Sequence, residues 1–272
     1  MKEITDAEFE RIRGFIKQKL GINLSSEKKS LIHSRLGATI QEKGFDNFSQ
    51  YFDYLMQNKS KNAMIQFVDK VTTNHTYFMR ETDHFDYFRD KVLPYIYENH
   101  SRNSDLRLWC AGCSSGEESY TLQMIIQDFF KDKSVRWDTQ ILATDISSAV
   151  LEKAARGVYT SESLENLPKR WINDYFQAFD SEHSVIRKEI KKLVIYRKYN
   201  LMEEKFPFKK LFQTIFCRNV MIYFDSATRD KLVNKFYDAT VTGGFLFIGH
   251  SESLNHMTTK YKYIKPAVYR KV

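Results

Sequence analysis

The sequence predicts an α/β protein with a mainly parallel sheet, preceded by a small all-α domain. Two patterns carry this expectation. Over residues 1–70, apolar residues recur at helical spacing and never in a strand-like run. From Leu106 onward, short apolar runs alternate with amphipathic segments, as βαβ units require when helices cover a parallel sheet. A third pattern, the polar stretch 158–192, breaks that rhythm and predicts an inserted subdomain.

The first helix begins at a capping box, Thr5-Asp6-Ala7-Glu8, in which the Thr oxygen and the Glu carboxylate satisfy exposed amides. Phe9, Ile12, Ile16 and Leu20 then share one face, and Gly21 supplies the stop. A second helix is expected from Ser25–Ser26 to Gly44, with Leu31, Ile32, Leu36 and Ile40 buried and Lys28, Lys29, Arg35 and Lys43 on other faces. Phe48, Tyr51, Phe52, Leu55 and Met56 mark a third helix, and Met64, Phe67, Val68 and Val71 a fourth. The expected division is a helical domain over 1–70, a linker and connecting helix over 71–95, and an α/β domain over 96–272.

Within the α/β part, strands are expected at Leu106–Cys110, Gln140–Thr144, Leu193–Tyr196, Thr214–Cys217 and Phe245–Gly249. Helices are expected at Ser119–Phe129, Ser147–Ala155 and Ser226–Tyr237. The insertion contains Trp171, Tyr175 and Phe176 and a charged alternation through Val185–Ile190, and should hold a helix and a small antiparallel hairpin.

Composition narrows the function classes. With 42% apolar and 15% aromatic residues the chain is globular, and it holds no apolar run of eighteen residues. The charged segment Met1–Glu10 lacks a signal-peptide core, so a soluble cytoplasmic protein is expected. Cys110, Cys113 and Cys217 suit a reducing compartment. Cys110 and Cys113 spell C-x-x-C, but no second Cys/His pair completes four zinc ligands, so they read as structural. Forty-two basic against 34 acidic residues give a net charge of +8, which favours an acidic partner of some kind.

Four segments carry candidate chemistry. In Leu106–Tyr120 a strand feeds Ala111-Gly112-Cys113-Ser114-Ser115-Gly116 and then a helix, a turn that exposes backbone amides to a ligand. Glu117 and Glu118 follow at once; their charge opposes a pyrophosphate and suits a ligand bearing an ammonium group, which favours S-adenosylmethionine over NAD. Asp145 ends the second strand, where an acid can accept both ribose hydroxyls or cap a helix. The strand Thr214–Cys217 ends abruptly in Arg218-Asn219, with Tyr223 four residues beyond the Asn. At the domain junction, Asn74, Thr76 and Arg80 form a polar set among apolar neighbours. Each segment alone also reads as a glycine-capped or polar-capped helix start or a polar loop.

Together they closely resemble the CheR family of chemotaxis receptor methyltransferases over nearly the whole chain. The most specific matches are Thr72–Glu81, Gly116–Tyr120, Ile141–Asp145, Phe216–Asp225 and Gly249-His250-Ser251-Glu252-Ser253. The resemblance implies a Rossmann-like S-adenosylmethionine-dependent methyltransferase domain with a β-subdomain insertion. It further implies S-adenosylmethionine as cofactor, S-adenosylhomocysteine as product, and receptor glutamates as acceptors. By motif, Asn74, Thr76 and Arg80 contact the cofactor from the linker, Glu118 holds its amino-acid part and Asp145 its ribose. Asn200, Leu201, Arg218 and Asn219 line its adenine and methionine side, and Arg80 and Tyr223 assist transfer. Lys28, Lys29, Arg35 and Lys43 would face the acidic methylation helices of receptors. The family is generally monomeric, and no metal is needed.

The sequence departs from the family pattern at Gln213, where an acidic residue is common, and at Cys113 and Ser119 in the glycine turn. The insertion loop Asp180–Ser184 has no glycine, which argues against tethering by a receptor C-terminal peptide. A nucleic-acid methyltransferase would fit the basic charge, yet the segment after the strand, Arg-Asn-Val-Met-Ile-Tyr, lacks the prolines used to grip a base amine. A non-catalytic binding module is the remaining alternative, opposed by the full motif set.

Overall fold

The computed structural model describes residues 3–57, 61–99 and 104–272; Met1 and Lys2, part of the N-terminal segment read above, lie outside them. The N-terminal unit packs four helices: α1 (Asp6–Leu20), α2 (Lys29–Glu42), α3 (Phe48–Gln57) and α4 (Lys61–Val71). The capping box forms as the sequence predicts: Thr5 Oγ1 accepts from Glu8 N at 3.3 Å and Thr5 N donates to the Glu8 carboxylate at 2.9 Å. Ile16, Ile32, Leu36, Ile40 and Phe67 are fully buried between the helices. A 3-10 turn, Ser26–Lys28, precedes α2. Leu31, expected in that core, is only half-buried and faces a cavity beside the second domain.

The chain then runs without regular structure to α5 (Thr82–Tyr87), which continues through a π turn at Phe88–Val92 into α6 (Leu93–Asn99). Pro94 follows that turn; lacking an N–H, it cannot bond the carbonyl four residues back, and the wider turn accommodates the lost bond.

A seven-stranded sheet forms the second unit. Its strands are β1 (Leu108–Ala111), β2 (Ile141–Asp145), β6 (Val194–Lys198), β7 (Phe212–Cys217), β8 (Thr240–Ile248), β9 (Lys262–Lys265) and β10 (Val268–Arg270), in the order β6-β2-β1-β7-β8-β10-β9. The five from β6 to β8 are parallel, whereas β10 runs antiparallel to both β8 and β9. The sequence reading did not place β9 and β10: they are short, and Lys262 and Lys265 mask the alternation.

Helices α7 (Glu117–Phe130), α8 (Ser148–Arg156) and α11 (Ser226–Ala239) cover the sheet. Because side chains alternate along a strand, β1 feeds two separate apolar layers. Cys110 joins Phe85, Phe88, Phe216 and Phe247 on one face. Trp109 faces the other way, within 4.8–5.5 Å of the rings of Phe206, Phe208, Phe212 and Phe236. Truncating Trp109 to Ala would cost about 3–5 kcal/mol, the usual range for a buried aromatic.

The insertion is a three-stranded antiparallel sheet, β3 (Val158–Thr160), β4 (Phe176–Ala178) and β5 (His183–Ile186), in the order β3-β5-β4, with α9 (Lys169–Tyr175) before β4 and a single turn α10 (Lys188–Lys191) after β5. The glycine-free turn closes on Asp180, whose Oδ1 accepts from Glu182 N and His183 N, each at 2.8 Å. Gln213, the departure noted above, is used structurally, donating to Asp105 O at 2.9 Å and accepting from Arg107 N at 2.5 Å.

Candidate active site

Strand β1 ends at Ala111 between β2 and β7, so three parallel strands present their C-terminal ends together. Open parallel sheets bind ligands at such a point. There the backbone turns through Gly112 and Gly116, at φ 91° and 101°. A side chain at Gly112 would put its Cβ 2.4 Å from Val220 Cγ2, so only glycine fits.

A cavity of about 540 Å³ lies over these strand ends. Every residue expected to bind the cofactor or assist transfer lines it, from the linker, the glycine turn, β2 and the segments after β6 and β7.

The glutamate pair divides. Glu118 faces the cavity, its Oε2 accepting from Arg218 Nη1 at 2.9 Å and its Oε1 from the Cys110 thiol at 3.1 Å. Glu117 is buried away from the cavity and takes the Ser115 hydroxyl at 2.8 Å; burial pushes its carboxyl above the ordinary range. The ammonium-binding argument therefore rests on Glu118 alone.

Asp145 also lines the cavity. Its Oδ2 accepts from Ser114 N at 2.9 Å and its Oδ1 from Ser147 N at 3.0 Å. Burial raises its pKa, and those amide bonds oppose the rise. Ser147, not Asp145, caps α8. Each carboxylate oxygen retains a further acceptor position for a hydroxyl.

The linker forms a third wall. Asn74 O accepts from Ser114 Oγ at 2.8 Å, which ties linker to glycine turn. Thr76 lines the cavity between Asn74 and Arg80. Arg80 Nη1 donates to His75 O at 2.9 Å, with its guanidinium 5.8 Å from the Tyr77 ring centre.

Arg218, with its side chain only 1% exposed, bridges Glu118 and Glu81 at 2.9 Å each. Asn219 adopts φ 58°, a left-handed conformation that Asn tolerates better than most residues. Asn200 Nδ2 donates to Lys19 O at 2.8 Å and Leu201 is buried beside it, so this wall is pinned to α1. Tyr223 ends a 3-10 turn, Met221–Tyr223, and its carbonyl accepts from Asn23 N at 2.7 Å. The helical domain thus abuts the turn that carries Tyr223.

The four basic residues of the second helix do not share one surface. Lys28 is exposed at the cavity, Lys43 is exposed at the far end of α2, and Lys29 pairs with Asp6 at 2.6 Å. Arg35 turns inward, donating to Val71 O, Thr72 O and Thr73 Oγ1 at 2.9–3.2 Å, and so holds the linker.

Sequence reasoning assigned no role to Glu81, Glu252 or Ser114. Glu252 belongs to the quoted Gly249–Ser253 motif, and a glutamate four residues past the apolar run Phe245–Ile248 was the available signal. All three cysteines are buried, and burial drives each thiol well above its ordinary pKa. Glu81, His84 and His250 bring ligand-type atoms within 4.8 Å of one another. Arg218, 2.9 Å from the same Glu81 carboxylate, sets a fixed positive charge against any cation there.

A glycine turn at the switch point, two acids lining the cavity beside it and an ion-paired arginine define a methyltransferase of the S-adenosylmethionine-dependent class. The chain belongs to the CheR methyltransferase family. Residues 74–270 match the family's "CheR methyltransferase, SAM binding domain" and residues 7–72 its "CheR methyltransferase, all-alpha domain". Among relatives, a "Chemotaxis protein methyltransferase" of Borreliella burgdorferi is 44% identical, covering 98% of this chain and 95% of its own length. One from Escherichia coli is 33% identical over 98% of this chain and 91% of its own. The cavity suits the cofactor: Glu118 presents a carboxylate that can accept from an ammonium group, and Asp145 has acceptor positions left for a ribose.

Proposed function

We propose that this protein transfers a methyl group from S-adenosylmethionine to glutamate side chains on the cytoplasmic helices of chemotaxis receptors, forming methyl esters and leaving S-adenosylhomocysteine. The carrying observation is that Arg80 and Tyr223 line the same cavity as Glu118 and Asp145, with Lys28 at its border. The relatives' names supply the chemotaxis context.

When bound, the cofactor supplies a methyl group on a positively charged sulfur. Asn74, Thr76, Glu118, Asp145, Asn200, Leu201, Arg218 and Asn219 hold and orient it. The acceptor carboxylate is already anionic near neutral pH, so no side chain need remove a proton. Alignment is then the main task, an effect that reaches roughly 7–11 kcal/mol in favourable cases. Arg218 is neutralised by two carboxylates, and Arg80 orients the acceptor. Tyr223 positions the acceptor or the methyl group. Lys28 and Lys43 attract the acidic receptor face, while Arg35 keeps the linker in place.

The protein acts as a cytoplasmic monomer in this reading, without metal, nucleic acid or receptor-tail tether. No described helix is long and apolar enough to cross a membrane. The test is incubation with labelled S-adenosylmethionine and either receptor cytoplasmic fragments or duplex nucleic acid. Label should enter the receptor fragments; label in nucleic acid alone would replace this reading with the nucleic-acid one.

A further inference from the structure

Two carboxylates, Glu252 buried and Glu81 half-buried, meet at Asn219, and neither has been given a part in the reaction. Glu81 closes the linker in a left-handed conformation, φ 57°. Its Oε1 accepts from Asn219 Nδ2 at 3.1 Å, and its Oε2 accepts from Arg218 Nη2 at 2.9 Å and His250 N at 3.2 Å. Glu252 holds the backbone of the same residue, its Oε2 accepting from Asn219 N at 3.0 Å and Gly249 N at 2.5 Å. Its Oε1 accepts from Ile222 N at 3.1 Å, one residue before Tyr223. Gly249 permits the approach, since a Cβ there would lie 2.4 Å from Asn219 Nδ2.

We propose that Glu81 and Glu252 are positioning residues for methyl transfer: one grips the Asn219 side chain, the other its backbone amide, and together they fix Arg80 and Tyr223 relative to each other. This rests on the transfer reading above. Arg80 precedes Glu81 in the chain, so the linker's register against β7 is set where Glu81 meets Arg218 and Asn219. Tyr223 follows Ile222, so its height over the cavity is set where Glu252 receives the Ile222 amide. The linker and the Tyr223 turn come from segments more than a hundred residues apart, and no hydrogen bond joins Arg80 to Tyr223 among the described residues. Arg218 Nη2 donates to Arg80 O as well as to Glu81, and the Glu81–Asn219–Glu252 chain carries that hold on to the Tyr223 turn.

The chemistry of each carboxylate suits that task. At Glu81, burial alone would raise the pKa, but hydrogen bonds from Arg218 and Asn219 and the charge of Arg218 outweigh it and hold the carboxylate ionised. Glu252 receives only backbone amides, which need an acceptor on both oxygens. An amide side chain at either place would turn an NH2 group toward a donor and leave both unsatisfied.

The test compares Glu81→Gln, Glu81→Asp and Glu252→Gln with the parent at saturating S-adenosylmethionine and receptor fragment. Alongside, it follows S-adenosylhomocysteine binding by calorimetry and the melting temperature. Misplacing a reacting group by an ångström can cost about 100-fold in rate. Each Gln variant should therefore lose about tenfold or more in kcat, with S-adenosylhomocysteine affinity changed by less than about threefold, and Glu81→Asp should recover part of the loss. Activity of the folded fraction within about twofold of the parent in both Gln variants would overturn the proposal, whatever happens to the melting temperature. If one Gln variant does not fold, the other decides. A parent that binds S-adenosylhomocysteine but labels no receptor fragment would instead defeat the transfer reading.

Discussion

Glu118 and Arg218 form a 2.9 Å ion pair whose arginine side chain is only 1% exposed. Arg218 has a second carboxylate partner, Glu81, at the same distance. Breaking a buried pair by removing one member costs about 3–5 kcal/mol, because the charge left behind is neither solvated nor paired. Arg218→Ala leaves two half-buried carboxylates, of which Glu118 faces the cavity and Glu81 keeps its bonds from Asn219 and His250, so the lower end of that range applies. Denaturant unfolding should show a loss of that size, and calorimetry a loss of S-adenosylhomocysteine binding. A variant of parental stability would mean that water reaches these carboxylates.

Tyr223 lines the cavity, and its backbone carbonyl is held by Asn23. Tyr223→Phe removes only the hydroxyl and leaves that carbonyl bond in place. Turnover should fall about tenfold or more while cofactor affinity stays within about threefold. Unchanged turnover would remove the hydroxyl from the mechanism.

His84 is fully buried, and neither ring nitrogen has a hydrogen-bond partner among the described residues. Burial, with the charges of Arg218 and His250, pulls its pKa down to about 4, against the opposing pull of Asp83 and Glu81. The folded value thus lies below the unfolded one, and unfolding takes up a proton in between. Stability that is present above pH 6.5 is lost as the pH falls toward about 4, by up to about 3 kcal/mol. Unfolding free energy measured across this window should slope accordingly, and His84→Gln should flatten it. An unchanged slope in the variant would assign the proton uptake elsewhere.

Lys28 and Lys43 are the exposed members of the basic set on and flanking α2. Changing both to Glu should raise the KM for receptor fragments most at low salt, since exposed charges act over about 10 Å at 0.1 M salt. S-adenosylhomocysteine binding should stay the same. A salt-independent effect would place receptor contact on another surface.

Periodicity and motifs exposed much of this architecture before any coordinates. The capping box at Thr5–Glu8, the face Phe9–Leu20 and the five parallel strands follow from spacing that local chemistry enforces. Strands β9 and β10 were hidden because Lys262 and Lys265 sit where alternation would be read. The π turn was hidden because a proline inside a helical pattern shows a disturbance but not its form. At the site, Asp145 and Glu118 were legible as acids next to a glycine turn. The separation of Glu117 from Glu118 was not, since neighbours on a helix point about 100° apart and only packing decides which faces the ligand. Arg35 read as a surface charge because its partners are backbone carbonyls, which leave no trace in side-chain patterns. Glu81 and Glu252 were invisible as a pair because they meet only through Asn219.

The central claim, that the product is a glutamate methyl ester, is tested most directly by the base lability of the transferred label. Receptor fragment labelled by this protein should release volatile methanol on mild alkali treatment, and replacing its acceptor glutamates with alanine should abolish the label. Label that survives alkali would show transfer to nitrogen, sulfur or another alkali-stable position and would contradict the account.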